Sequence, residues 1–216
     1  MSMEGLQFAG HGLEGMDSLP IVTQKAPGNA KLRVTPNPIY DSEVSGTSAI
    51  TDLSLFRSPE GGVFQNATST KKTLADTNLK QQGQLGSPLI FDIVGFQIKV
   101  TQASGTTPVT EADLYRFYVG SYFEFSFNNR PFLQIPTFQV PAGVGIFGVS
   151  NVNAQNALQN GVASPSAMLK YMVGKARIRI RSTENFNAKI QWASSVTFVA
   201  SVKVSVYLNG YLYNGI

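Results

Sequence analysis

Lys175, Arg177, Arg179 and Arg181 stand at every second position of one segment, with Ala176, Ile178 and Ile180 between them. Successive side chains of an extended strand point to opposite faces, so all four cations share one face, spread over about 20 Å. A ladder of this kind suits a polyanion, either phosphates or an acidic neighbour. The same pattern also describes a solvated strand face whose charges pair with carboxylates on the adjacent strand. Nearby in sequence the acidic supply is thin, with Glu184 alone. These four residues are the candidate polyanion- or neighbour-facing positions.

Other chemistry is sparse. Gly143, Gly145 and Gly148 reproduce the spacing G-x-G-x-x-G. Pro136 and Pro141 interrupt what precedes them, and Val-Ser-Asn-Val-Asn after them is no helix start, so the strand–loop–helix unit of a dinucleotide site is missing. A loop that needs close backbone approach is expected instead. The chain has no cysteine, and its one histidine, His11, lies between glycines. That removes thiolate nucleophiles, disulfide frameworks and Cys- or His-rich metal centres, and it leaves a Ser-His-Asp triad without a buried imidazole. Beyond residue 50 the carboxylates are Asp52, Glu60, Asp76, Asp92, Glu111, Asp113, Glu124 and Glu184. Glu111 and Asp113 fit a helix start. Asp92 and Glu124 fall inside strand-like runs, where either could face a neighbouring cation. Nothing in the spacing marks a paired acid and base. Tyr115, Phe117, Tyr118, Tyr122, Phe123, Phe125, Phe127 and Phe132 could stack on bases, but only Arg116 and Arg130 are interleaved with them. Packing in a core, with some rings buried between subunits, is the better reading. No catalytic residue, cofactor, metal or small-molecule substrate is assigned.

The elements that carry these residues are mostly strands. Residues 89–100 place Phe91 and Ile93 in one alternating phase and Phe96, Ile98 and Val100 in the other, with Gly95 where a bulge or bend would change the phase. Thr110 to Asp113 resemble a capping box, and Leu114, Phe117 and Tyr118 recur at helical spacing up to Gly120, so a short helix is expected over 111–119. Phenylalanines then alternate up to Asn128-Asn129, a two-residue hairpin signal, and Pro131 and Pro136 mark the returning strand as an edge. Ser164-Pro165 opens a second expected helix near 164–173, with Met168, Leu169 and Met172 as its apolar stripe. Strands follow at 175–181 and 186–192. Over 196–208 a run of Val, Phe, Ala and Leu occupies every second position, which predicts one long strand with one buried face. Residues 65–88 read as a long surface loop with one short strand.

Residues 1–50 differ. Glycines at 5, 10, 12 and 15 and prolines at 20, 27, 36 and 38 punctuate them, and no period of 2 or 3.6 persists. They are expected to form an extended arm ordered only against neighbours, or a disordered tail. Removing residues 1–40 would then leave the rest folded. Residues 51–216 are expected to form one jelly-roll domain. The fold class is all-β: an antiparallel sandwich or barrel of about eight strands, with two short helices in its connections. Charged residues make up 14% of the chain, well below the roughly 25% common in soluble domains, while Asn and Gln number 14 and 13. Such a weakly charged polar surface favours a subunit of something larger. Glu4 stands where a secretory signal carries a cation, and no run approaches the length of a membrane-spanning helix.

The order of elements resembles the jelly-roll capsid proteins of tailless icosahedral bacterial viruses. The likeness is architectural and covers residues 53–210: the strand at 89–100, the capped helix at 111–119, the aromatic hairpin at 122–135, the helix near 164–173 and the final strand at 195–208. The resemblance implies a virion subunit, assembled in the host cytoplasm, whose barrel packs beside copies of itself and other capsid proteins. It also implies an arm that ties neighbours together, and an inner face that meets genome or an internal membrane. The competing expectation is a non-catalytic β-sandwich binding module, carbohydrate-binding or tail-fibre-associated. Light scattering or electron microscopy separates the two.

Overall fold

The computed structural model of the chain describes residues 22–25, 31–103, 109–140, 146–152, 155–160, 169–170 and 178–215. Its strands are β1 (Val22–Lys25), β2 (Lys31–Pro36), β3 (Ile39–Val44), β4 (Ile50–Leu55), β5 (Val63–Phe64), β6 (Ala67–Lys71) and β7 (Ile90–Gln102), then β8 (Ser121–Phe127), β9 (Arg130–Pro136), β10 (Ile146–Val152), β11 (Gln155–Asn160), β12 (Leu169–Lys170), β13 (Ile178–Arg181), β14 (Phe186–Val196) and β15 (Val202–Gly215). One α-helix, α1 (Glu111–Val119), lies among the described residues, together with a short 3-10 turn, Thr137–Gln139.

Eight of these strands make two packed antiparallel sheets. One has the order β3, β15, β7, β13, and the other β4, β14, β8, β9. Numbered along the chain, the orders are 1-8-3-6 and 2-7-4-5. The chain changes sheet at every step except the β8–β9 hairpin, which is the double Greek-key winding of a jelly roll. The inner faces interlock through Phe, Ile, Leu and Val. Phe96 of β7 meets Phe123 and Phe125 of β8 with ring centroids 5.9 and 5.1 Å apart, across the space between the sheets. Val202, Val204, Val206 and Leu208 of β15 are fully buried beside it.

The expected phase change in β7 is a bulge. Asn209 faces Gly95, and Gly210 faces Ile93, so Val94 is looped out. Both apolar phases therefore end on the inner face, with Phe91, Ile93, Phe96 and Ile98 all buried. Gly210 belongs here for steric reasons, since a Cβ on it would lie 2.0 Å from the Asp92 carbonyl oxygen. The β8–β9 turn is the expected one, because Asn128 and Asn129 take φ of 50° and 60°. β9 is an edge strand, and its ladder slips at Pro131.

Thr110 caps α1 by accepting from the Asp113 N–H at 3.1 Å. The Asp113 carboxylate does not complete a capping box. It is fully buried and accepts from the Val199 and Ala200 N–H groups at 2.8 and 3.2 Å, which lashes the β14–β15 loop to the helix. Trp192 Nε1 donates to the Arg116 carbonyl at 3.1 Å on the same side.

Four expectations are corrected. Residues 31–44, assigned to the arm, are sheet. β3 pairs with Lys203–Leu208 of β15, and β2 continues along the same edge to pair with residues 211–215, with Pro36 and Pro38 at the break. A truncation to residue 40 would remove β2 and the start of β3, so a test of the arm must stop short of Lys31. Near 164–173 the described residues Leu169 and Lys170 are not helical but pair with Phe96 and Gly95, and the remaining residues there lie outside the described ones. The run 196–208 is not one strand. Val196 ends β14, residues 197–201 turn, and Val202 begins β15. Alternation survives the turn because Phe198 and Ala200 are themselves buried. Finally, residues 65–88 do more than loop over the surface. They clasp the free edge of β3: the Asn78 N–H donates to the Tyr40 carbonyl at 3.3 Å, and the Thr77 hydroxyl donates to the same oxygen at 3.1 Å. Covering an edge in this way blocks strand pairing with other chains.

Candidate functional site

Of the four laddered cations, Lys175 and Arg177 lie outside the described residues. Arg179 and Arg181 alternate outward on β13, with Ile178 and Ile180 buried beneath. Register places Arg179 directly opposite Asp92 of β7. The guanidinium grips that carboxylate with two bonds, Nε to Oδ1 at 2.6 Å and Nη2 to Oδ2 at 2.9 Å, and lies 5.6 Å from the Tyr213 ring centroid. Bonding to Asp92, only partly offset by burial, raises the Arg179 pKa above its ordinary value. Arg181 uses its backbone N–H, which donates to Glu184 Oε2 at 2.7 Å across the turn. At Arg179 the structure therefore favours the paired-strand reading over the polyanion one. The sequence had placed Asp92 in a strand, and only the register could name its partner.

Arg179→Gln is expected to cost about 1–2 kcal/mol, the worth of a charge-assisted pair discounted for the exposed side of the guanidinium. Arg181→Gln should change stability by less than about 0.5 kcal/mol. Urea midpoints check both, and equal midpoints for the two variants would contradict the assignment.

A second ionic group was not foreseen. Asp41 and Glu43 sit at inward positions of β3, level with Val206 and Val204 of β15. Lys72 enters from the clasping segment, its Nζ 2.9 Å from Asp41 Oδ1 and 2.6 Å from Glu43 Oε1, with all three side chains buried. The Phe56 N–H also donates to Asp41 at 2.5 Å, and the Gln65 N–H to Glu43 at 2.7 Å. Burial pushes both carboxyls up, with Lys72 opposing. On the outer face the same segment returns Asp76 to pair with Lys203. The group staples the segment to the barrel edge. No signal short of the fold could have found it, because polar residues at core-facing positions break the alternating pattern.

The other candidates separate. His11, Gly143 and Gly145 lie outside the described residues, and Gly148 falls at a register shift of the β10–β11 hairpin rather than before a helix. Among the described residues no group of three or more His, Asp or Glu side chains is placed to hold a metal ion. No helix there is long and apolar enough to cross a membrane. Of the aromatic series, Phe117, Tyr118, Phe123 and Phe125 are core, whereas Tyr115, Tyr122 and Phe132 are exposed. Tyr115 and Val119 on α1 join Phe138 and Val199, 61% and 62% exposed, as apolar side chains left in solvent near one end of the sandwich. Compared with family models, curated proteins and solved structures, the chain matches none of them.

Proposed function

We propose that this chain is a structural subunit of a viral capsid, a single jelly roll whose contacts with copies of itself suffice to close an icosahedral shell, to which other shell proteins add. The observation that carries the reading is the strand order 1-8-3-6 over 2-7-4-5, the winding that viral shells share with lectins and cupins. The low charge of the chain and the exposed apolar side chains around α1 and Val199 support lateral packing. Contacts of modest strength, on the order of 8 kcal/mol each, let misplaced subunits leave while a closed shell grows. In this reading residues 1–21 are the part of the arm that reaches a neighbour, and the inner face meets genome or an internal membrane. A β-sandwich binding module is the competing reading, favoured by the polar groove described below.

Deleting residues 1–21 leaves every strand of the two sheets intact. The truncated chain is expected to keep its thermal midpoint within a few degrees and to lose the ability to form regular closed particles. Sedimentation velocity checks this, and a truncated chain that assembles like the full one would contradict the role given to the arm.

A further inference from the structure

On the outer face of the β4–β14–β8–β9 sheet a polar groove crosses the start of β14. Three cavities open along it, each sharing walls with the next. The middle one, about 490 Å³, is lined in part by Arg57, Gln82, Gln84, Asn185, Asn187 and Lys189. A second, about 250 Å³, shares Asn185, Asn187 and Lys189 and extends to Glu124 and Ser126. A third, about 350 Å³, shares Arg57 and Gln82 and extends to Gln65 and Thr68. The shape is that of a trough for a linear ligand of repeating units.

We propose that this groove binds an oligosaccharide carrying acidic substituents, carboxylate or sulfate. The inference stands independently of the shell-building reading. Side-chain amides carry donors and acceptors side by side, which matches sugar hydroxyls that both give and accept, and the Gln84–Asn185 pair still carries an acceptor oxygen and a donor nitrogen after bonding to each other. Arg57 and Lys189 bring two cations to the middle cavity, whose lining holds no carboxylate among the described residues. Neither makes an ion pair among the described residues, although the register sets Lys189 opposite Glu124 of β8. The two neighbouring cavities each hold one acid, and both are occupied: Glu124 by Gln134 Nε2 at 2.7 Å and Ser126 Oγ at 3.0 Å, and Glu43 by Lys72 Nζ at 2.6 Å. Asn187 Oδ1, in the wall shared by two cavities, is buried without a hydrogen-bond partner.

The walls are held in place before any ligand arrives, which lowers the cost of binding. Gly83 takes φ +57° and its carbonyl accepts from the Phe186 N–H at 2.8 Å. Gln84 Nε2 donates to Asn185 Oδ1, and the Asn185 N–H donates to Asn128 Oδ1 at 3.2 Å. The lining rings Phe56, Phe64 and Phe186 are buried in the core, so among the described residues the groove offers no exposed ring face for a base to stack on. That separates the site from a single-stranded nucleic-acid channel.

Titration calorimetry on the full chain tests the assignment with an oligogalacturonate, a heparin-derived oligosaccharide, maltohexaose and an oligothymidylate of matched length. At least one acidic oligosaccharide should bind, with maltohexaose about tenfold weaker or more. Arg57→Gln and Lys189→Gln should each weaken that binding by about tenfold or more, the loss expected for one charge-assisted contact. Arg181→Gln, on the other sheet, should leave it within about twofold. Thermal midpoints of the variants confirm that they fold. Failure of both acidic oligosaccharides to bind at millimolar concentration overturns the proposal. So does an equal loss in Arg181→Gln, which would mean general attraction to a cationic protein, or tighter binding of the oligothymidylate than of any sugar.

Discussion

Lys72→Met is expected to cost about 3–5 kcal/mol of folding stability at neutral pH, because it leaves Asp41 and Glu43 buried side by side without their shared cation. The loss should depend on pH in a defined direction. Burial already raises Asp41 above its ordinary 3.8 and Glu43 above 4.5, with Lys72 opposing. A carboxyl raised in the folded chain takes up its proton before the unfolded chain does. Its contribution therefore grows as pH falls through the raised value toward the unfolded one, and shrinks as pH rises. Without Lys72 both carboxyls rise further. The deficit of the variant is then largest near pH 7.5 and smaller near pH 5. Asp76 runs the other way. Burial raises it, but the Lys203 ammonium and the N–H and hydroxyl of Thr73 outweigh burial and hold it below 3.8. Its contribution is present above that value and is lost as pH falls through the depressed one. Urea denaturation at pH 7.5 and pH 5 measures the first part of this expectation, and comparing the wild-type chain with Asp76→Asn at pH 5 and about pH 3 measures the second. Combining Lys72→Met with Asp41→Asn and Glu43→Gln should recover most of the loss, since no charge then remains buried. A deficit under about 1 kcal/mol, or one independent of pH, would contradict a buried staple.

Phe96→Ala is the second large effect. The ring sits at the centre of the sandwich, fully buried on β7 and in contact with Phe123 and Phe125 from the opposite sheet. Truncation removes its transfer free energy and opens a cavity that the ladders on either side cannot close, at a cost of about 3–5 kcal/mol. Tyr115→Ala, on the exposed side of α1, should change stability by less than about 0.5 kcal/mol. Denaturant midpoints with an unchanged slope check the pair. Similar values for Phe96→Ala and Tyr115→Ala would mean that the two sheets do not pack face to face through Phe96.

What could be read from the sequence was whatever a local pattern dictates. The β7 alternation with its phase change at Gly95, the Thr110 cap and the Asn128-Asn129 turn are written in neighbouring residues, and each is found where expected. The rest depends on partners distant in the chain. β3 reads Ile-Tyr-Asp-Ser-Glu-Val, and its inward positions carry two acids, so alternation reports a polar segment until Lys72 is known to meet them. Val196 to Leu208 alternate without interruption, yet the chain turns within them because Phe198 packs near Trp192, with ring centroids 6.0 Å apart, and Asp113 holds Val199 and Ala200. The candidate site shows the same division. Arg179 and Asp92 were each visible as charged strand residues, whereas their pairing required the β7–β13 register. The groove is assembled from β4, the clasping segment, β14 and the β8–β9 turn, four stretches that no spacing rule connects.

Electron microscopy of the purified full chain, with no other component present, tests the central claim most directly. A jelly roll that tiles with its own copies should give closed shells of uniform diameter as its concentration is raised. A chain that stays monomeric or forms only small oligomers at every concentration would contradict it and leave the binding-module reading in its place.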